Sequence, residues 1–228
     1  MIVIQFSKIF LLCNVLCFMQ NCSAQNGKDV SDTGLFMNAH KIQINTISAE
    51  EYKKAAQTVP LNIDTTLIKK NKGELVLNLA RNKELILRDS IVNSDNSEQV
   101  THNFIGHFME VGLYVIKVQY YETGEYLLIS DKTGVITKVW GEPKLSPDKK
   151  HIACASNAIG YDIMPNGIQI WLVQKDNLKL EWESKQEQWG PIDIIWVNEN
   201  KFYFTKIIPD FISNTQKEER RYAEISFK

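Results

Sequence analysis

The stretch GEPKLSPDKKHIACA, Gly141 to Ala155, sets Ser-Pro-Asp between two short apolar runs. Proline presets the backbone of a tight turn, and aspartate accepts hydrogen bonds from the residues that follow it. Ser146-Pro147-Asp148 therefore has a structural reason for its composition and need carry no chemistry. HIACAS after the turn reads as a strand, in which a free cysteine, Cys154, behaves as a small buried hydrophobe.

Three longer stretches of equal length share one plan: GELVLNLARNKELILRDS from Gly73, GEYLLISDKTGVITKVWG from Gly124 and GIQIWLVQKDNLKLEWES from Gly167. Each is a glycine, an apolar run, a polar turn (Arg81-Asn82-Lys83, Lys132-Thr133-Gly134, Lys175-Asp176-Asn177) and a second apolar run. This is the pattern of a β-hairpin, with the turn setting the register. Between the hairpins lies a second kind of pair, NFIGHFMEVGLYVIKVQYYE, PKLSPDKKHIACAS and PIDIIWVNENKFYFTKI, where a run, a short turn and a run recur. Four strands in each repeat of ~40 to 50 residues is the arithmetic of a β-propeller blade.

LSPDKKHIACA resembles the Ser-Pro-Asp-Gly-Lys turn of TolB-type propeller repeats through Ser146, Pro147, Asp148 and Lys150, and the resemblance covers mainly residues 143–173. It implies an architecture and no activity, because such blades serve many unrelated roles. Lys149 stands where those repeats have glycine. If that position is left-handed, a lysine there costs on the order of 1 kcal/mol.

One irregularity cuts against identical units. Leu75, Leu77 and Leu79 alternate in one phase of the first hairpin, whereas Ile168, Ile170 and Leu172 take the other phase of the third. Apolar residues in both phases still suit sheets covered on both faces. The expected fold class is all-β: antiparallel hairpin repeats in a propeller-like assembly, complete or incomplete, or in a twisted two-sheet stack of the same hairpins, with one short N-terminal helix. That helix is read from SAEEYKKAAQ, where Ser48 and Glu51 form a capping box and Pro60 stops the chain soon after.

The N-terminus is a separate matter. Lys8 precedes an apolar run from Ile9 to Met19, too short to cross a bilayer as a helix, which needs ~20 residues. A cation, a short apolar run and small residues together read as an export signal. Residues 1–24 are removed if cleavage follows Cys22-Ser23-Ala24. Residues 1–21 are removed if Met19-Gln20-Asn21-Cys22 serves as a relaxed lipoprotein box, with Cys22 acylated and Asn21 departing from the small residue usual there. Both readings stand, and both place the protein in the periplasm, on the outer membrane or outside the cell. Residues 25–72 then supply a tether, the short helix and the first strands, and residues 73–228 the β-repeat domain.

The chain has 228 residues, 44% of them hydrophobic and 23% charged, with a formal charge of −1, so it has apolar material for a core and no basic footprint for nucleic acid. Cys13, Cys17 and Cys22 lie in or at the end of the signal, leaving Cys154 without a disulfide partner. His102 and His107 are five apart, which on a continuous strand turns them to opposite faces and denies them a shared metal. No Gly-rich phosphate loop and no Gly-x-Ser-x-Gly elbow occurs, so no catalytic residue, metal or cofactor is expected. Asp131, Asp148 and Asp176 sit at turn positions, where aspartate has structural work.

Candidates for binding are Tyr161 and Asp162, in the long loop NAIGYDIMPNG, and Trp189, whose neighbours Gly190 and Pro191 read as a loop that would expose it. Trp171 and Trp182 stand inside apolar strands and read as core. The expected function is an exported, non-catalytic binding or scaffold protein whose partner is a protein or glycan of the bacterial envelope. The alternative is a small secreted hydrolase acting on glycans.

Metabolic labelling with a fatty acid, followed by mass analysis of the mature N-terminus, separates the two processing routes. The expected outcomes are a lipid on Cys22 or an unlipidated chain beginning at Gln25. An uncleaved cytoplasmic chain excludes both.

Overall fold

The Ser-Pro-Asp turn is closed by its own side chains. Ser146 Oγ donates to Asp148 Oδ1 at 2.7 Å and accepts from the His151 amide at 2.9 Å, while Asp148 Oδ1 accepts from the Lys150 amide at 3.2 Å. Burial opposes the charge of Asp148. The hydrogen bonds from Ser146 and Lys150, with the His151 ring and the Lys150 ammonium nearby, nevertheless hold its carboxyl below the ordinary range. Lys149 has φ of 64°, so the residue standing in place of glycine is left-handed. Its ammonium reaches the Glu110 carboxylate across the surface.

In this computed structural model residues 35–37, 40–58, 63–66, 68–90, 99–175, 177–210 and 217–227 are described. The export signal, Cys22, the tether and Asp176 lie outside them. The chain runs β1 (Leu35–Met37), β2 (His40–Ile47), α1 (Ala49–Ala56), β3 (Glu74–Leu79), β4 (Lys83–Arg88), β5 (Thr101–Phe108), β6 (Leu113–Gln119), β7 (Gly124–Ser130), β8 (Ile136–Val139), β9 (Lys144–Leu145), β10 (His151–Ser156), β11 (Gly167–Val173), β12 (Leu178–Lys185), β13 (Gly190–Asn198), β14 (Lys201–Pro209) and β15 (Glu218–Phe227). The fold is all-β apart from α1 and a single 3-10 turn among the described residues.

Every hairpin read from the sequence is formed, and all strand pairs are antiparallel. β3–β4 stands as a two-stranded sheet. β5-β6-β7-β8 and β9-β10-β11-β12 are four-stranded meanders, and the last sheet has the order β1-β2-β15-β14-β13. Strand β2, from the start of the chain, pairs with β15 at its end, from Ile42 opposite Phe227 to Ile47 opposite Tyr222.

Three apolar clusters hold successive sheets together. Leu75 and Leu77 meet Tyr114, Ile116 and Val118 on one face of the second sheet. Leu113 and Val115 on its other face meet Leu145, Ile152 and Cys154. Ile168, Ile170 and Trp182 then meet Phe202, Phe204, Ile225 and Ile42 of the last sheet. The middle sheets are thus apolar in both phases because both faces are covered, and each fully buried Leu, Ile or Phe contributes about 1.5–3 kcal/mol. Among the described residues no cluster joins β3–β4 to the last sheet.

Two expectations need correction. A β-bulge between Phe104 and Gly106 shifts the register, so His102 opposes Val118 and His107 opposes Tyr114. Those partners share a face, and hence so do the two histidines. The capping box is half made. The Glu51 amide donates to Ser48 Oγ at 3.1 Å, but the Glu51 carboxylate accepts from the Tyr203 hydroxyl at 2.9 Å instead of returning to the cap. With Tyr52 against Tyr222 at 4.5 Å, that contact docks α1 on the last sheet.

Lys149→Gly should raise stability by up to about 1 kcal/mol, because relief of the left-handed lysine outweighs loss of an exposed ion pair. Chemical denaturation measures this, and an unchanged or lower midpoint contradicts the strain argument.

Candidate functional site

The end of the sheets that carries the β6–β7 and β10–β11 loops opens into a cleft of about 420 Å³. Lys117 and Tyr126 reach it from β6 and β7, Glu122 from the turn between them, Trp140 and Glu142 from the β8–β9 connection, Asn157 and Met164 from the β10–β11 loop, and Asp193 from β13. Three of the four sheets therefore supply its wall.

Backbone proximity builds the floor. A Cβ on Gly141 would fall 1.8 Å from the Ala155 carbonyl oxygen, and one on Gly190 would fall 1.8 Å from Asn157 Oδ1. At Gly141 the obstacle is backbone, so only glycine lets these segments meet, whereas at Gly190 it is the Asn157 side chain. Gln169, 4% exposed, accepts from the Trp140 amide at 3.1 Å and donates to Glu183 at 3.2 Å, fixing the turn that presents Trp140. Asn166, 9% exposed, accepts from the Ala158 amide at 3.1 Å and donates to the carbonyls of Gln186 at 2.7 Å and Trp189 at 2.9 Å. This one side chain fastens both ends of the long loop to the start of β13.

The charges are uneven. The lining holds one cation, Lys117, and three carboxylates, Glu122, Glu142 and Asp193, and Glu142 pairs with Lys144 at 2.5 Å. Tyr126 is half-buried beside Lys117 on the neighbouring strand, and burial, then the Glu142 carboxylate, push its phenol above the ordinary value. Asp193 has φ of 56° at a bulge in β13, and its carbonyl accepts from the Tyr52 hydroxyl of α1 at 2.9 Å.

Of the residues read from the sequence, Tyr161 is 68% exposed and Asp162 is also exposed, in the loop that ends at the cleft. Trp189 is a correction: it is only 8% exposed. Gly190 and Pro191 are not a loop but the first residues of β13, an edge strand that tolerates proline at its start. The indole packs against Phe204 at 5.6 Å, under the Lys206 ammonium at 4.8 Å. Trp182 is core, while Trp171 is half-buried.

Residues the sequence reading passed over are Trp140, Glu142, Tyr126 and Asp193. Trp-Gly-Glu-Pro, which breaks the strand text, was a legible signal for the first two. Nothing local announced the others.

The remaining reactive groups are engaged elsewhere. His102 Nδ1 lies 3.4 Å from Asp89, His107 Nε2 lies 3.1 Å from Asp131, and His151 Nε2 lies 3.3 Å from Glu181. Among the described residues no three His, Cys, Asp or Glu side chains are grouped to hold a metal ion. Cys154 is fully buried, and burial pushes its thiol far above the ordinary value, so it is poorly suited as a nucleophile. Comparison with known proteins found no family model, no curated protein and no solved structure that matches the chain.

Asn166→Ala should cost about 2–4 kcal/mol, since it removes three hydrogen bonds and leaves buried partners unpaired. Thermal and urea unfolding measure the loss. A variant within 0.5 kcal/mol of the parent, a margin ordinary for surface changes, contradicts the fastening role.

Proposed function

We propose that this chain is an exported, non-catalytic binding module of the bacterial cell envelope, built on a propeller-like set of sheets, with its ligand seated in the cleft beside the β10–β11 loop. The observation that carries the reading is the cleft itself. It combines half-buried aromatic side chains with charged groups at the convergence of three sheets, on segments whose backbones are fixed by Gly141, Gly190, Gln169 and Asn166. Binding sites of this kind draw specificity from loops held on a rigid frame. Tyr161 and Asp162 are exposed on the loop that also lends Asn157 and Met164 to the lining, and in this reading they supply further contact, whereas buried Trp189 supports the frame.

The propeller-like reading is supported by sheets that follow one another in chain order and by β2, which completes the last sheet with a strand from the chain's beginning. Export rests on the N-terminal signal pattern, and attachment to the membrane through Cys22 rests on the lipoprotein reading of it.

Tyr161→Ala and Asp162→Ala, both at exposed positions, should leave the melting transition unchanged and reduce capture of an envelope protein or glycan fraction severalfold. Undiminished capture by the double variant contradicts the reading. Turnover of a glycan, lost in Glu142→Gln without a change in melting, overturns it in favour of a hydrolase.

A further inference from the structure

We infer that the cleft takes a basic, extended segment of a partner protein and seats a lysine or arginine side chain among Tyr126, Trp140, Glu142 and Asp193, an inference that rests on the cleft being a binding site. Three features of the cleft carry it.

The first is charge. Glu122, Glu142 and Asp193 outnumber Lys117 in the lining, and Lys144 offsets only Glu142. The Glu142 carboxylate stands close enough to Tyr126 to oppose ionisation of its phenol, so aromatic ring and negative charge share one corner. A cation entering there meets a carboxylate and aromatic π-faces together. Cation–π contacts contribute about 0.5 kcal/mol at exposed sites and ~2 kcal/mol when desolvated. A neutral sugar can donate its hydroxyls to these carboxylates but gains no net charge attraction from their excess.

The second is the surface beside the cleft. Tyr121, 59% exposed, immediately precedes Glu122, and Ile163, 65% exposed, immediately precedes Met164. Tyr161, 68% exposed, is two residues further back on the same loop. Apolar and aromatic groups thus flank the acidic lining on both loops. An aromatic surface around a charged anchor is the composition of a protein–protein contact.

The third is Asp193. Its left-handed backbone at a bulge is an outlier that the hydrogen bond from Tyr52 helps to hold, and bulges re-aim side chains next to sites. Lys117, paired across the strands with Tyr126, is the one cation in the lining and lies beside the proposed seat, so it opposes entry of more than one further positive charge.

The test uses the mature protein labelled with ¹⁵N, titrated with an acetylated and amidated Gly-Arg-Gly-Arg-Gly peptide and with its citrulline counterpart, which keeps the shape and loses the charge. The arginine peptide should shift the Gly124 and Gly141 amides and the Trp140 indole. The citrulline peptide should bind about tenfold more weakly or worse, and added salt should weaken the arginine peptide. Glu142→Gln, at an exposed side chain, should weaken binding with melting unchanged, and Asp193→Asn repeats the test at an independent position. Equal affinity for the two peptides, no saturable binding, or shifts on another surface overturns the inference. A glucosamine oligomer that binds these residues more tightly than the arginine peptide also overturns it, in favour of an aminated glycan, while leaving the cleft as the binding site.

Discussion

The pairing of β2 with β15 is the constraint on which the site depends. It joins residues 42–47 to residues 222–227, so the chain's beginning completes the sheet made by its end. Ile42 and Ile44 enter the core between the last two sheets only because this register puts them there. Helix α1 follows β2 directly, and the same register carries Tyr52 onto Tyr222 and within hydrogen-bond reach of Asp193. Closing so long a loop costs little more than closing one of half the length, since the entropy penalty grows by only about 0.6 kcal/mol per doubling. Burial of two isoleucines, at about 1.5–3 kcal/mol each, offsets that increment.

From this follows a division of labour among polar residues inside the frame. Sheets covered on both faces leave few places for polar atoms, and each buried one must find partners. Ser146 closes the turn between β9 and β10, Gln169 orients the Trp140 turn, and Asn166 fastens the long loop. The last two act at the cleft. Its wall is held by buried amide groups and by Gly141 at a close backbone contact, and the loops that line it carry the exposed side chains of Tyr121 and Tyr161. Rigid wall and adaptable rim suit recognition of a partner.

The chemistry of the groups points the same way. The thiol is buried in an apolar cluster, and three of the histidines each face a carboxylate within the sheets. The cleft instead holds Glu122, Glu142 and Asp193 beside Tyr126 and Trp140 in its lining, the composition on which the proposed recognition of a cation rests. The tyrosine hydroxyls serve structure: Tyr203, its phenol pushed up to about 12 by burial and by the Glu51 carboxylate, holds α1, and Tyr114 donates to the Asn78 carbonyl at 2.7 Å.

How much was legible follows from the range of each interaction. Turns and hairpins are local, so Ser146-Pro147-Asp148, the three glycine-led hairpins and the Ser48 cap could be read directly, whereas the left-handed φ of Lys149 was only a condition raised by the turn it resembles until the structure supplied it. Two-phase apolar runs announced sheets covered on both faces. Exposure is not local. Trp189 looked like a loop residue because Gly190 and Pro191 look like loop residues, yet an edge strand starts there and Phe204, fifteen residues away, covers the ring. A single bulge in β5 turned His102 and His107 to one face against the alternation that an unbroken strand imposes. By itself the amino-acid order determined the strands, their turns and the all-β class, because these depend on neighbours within a few residues. Only the tertiary structure decided which side chains share a cleft, because Trp140, Tyr126 and Asp193 are brought together by packing among sheets, and neither a period nor a spacing records that.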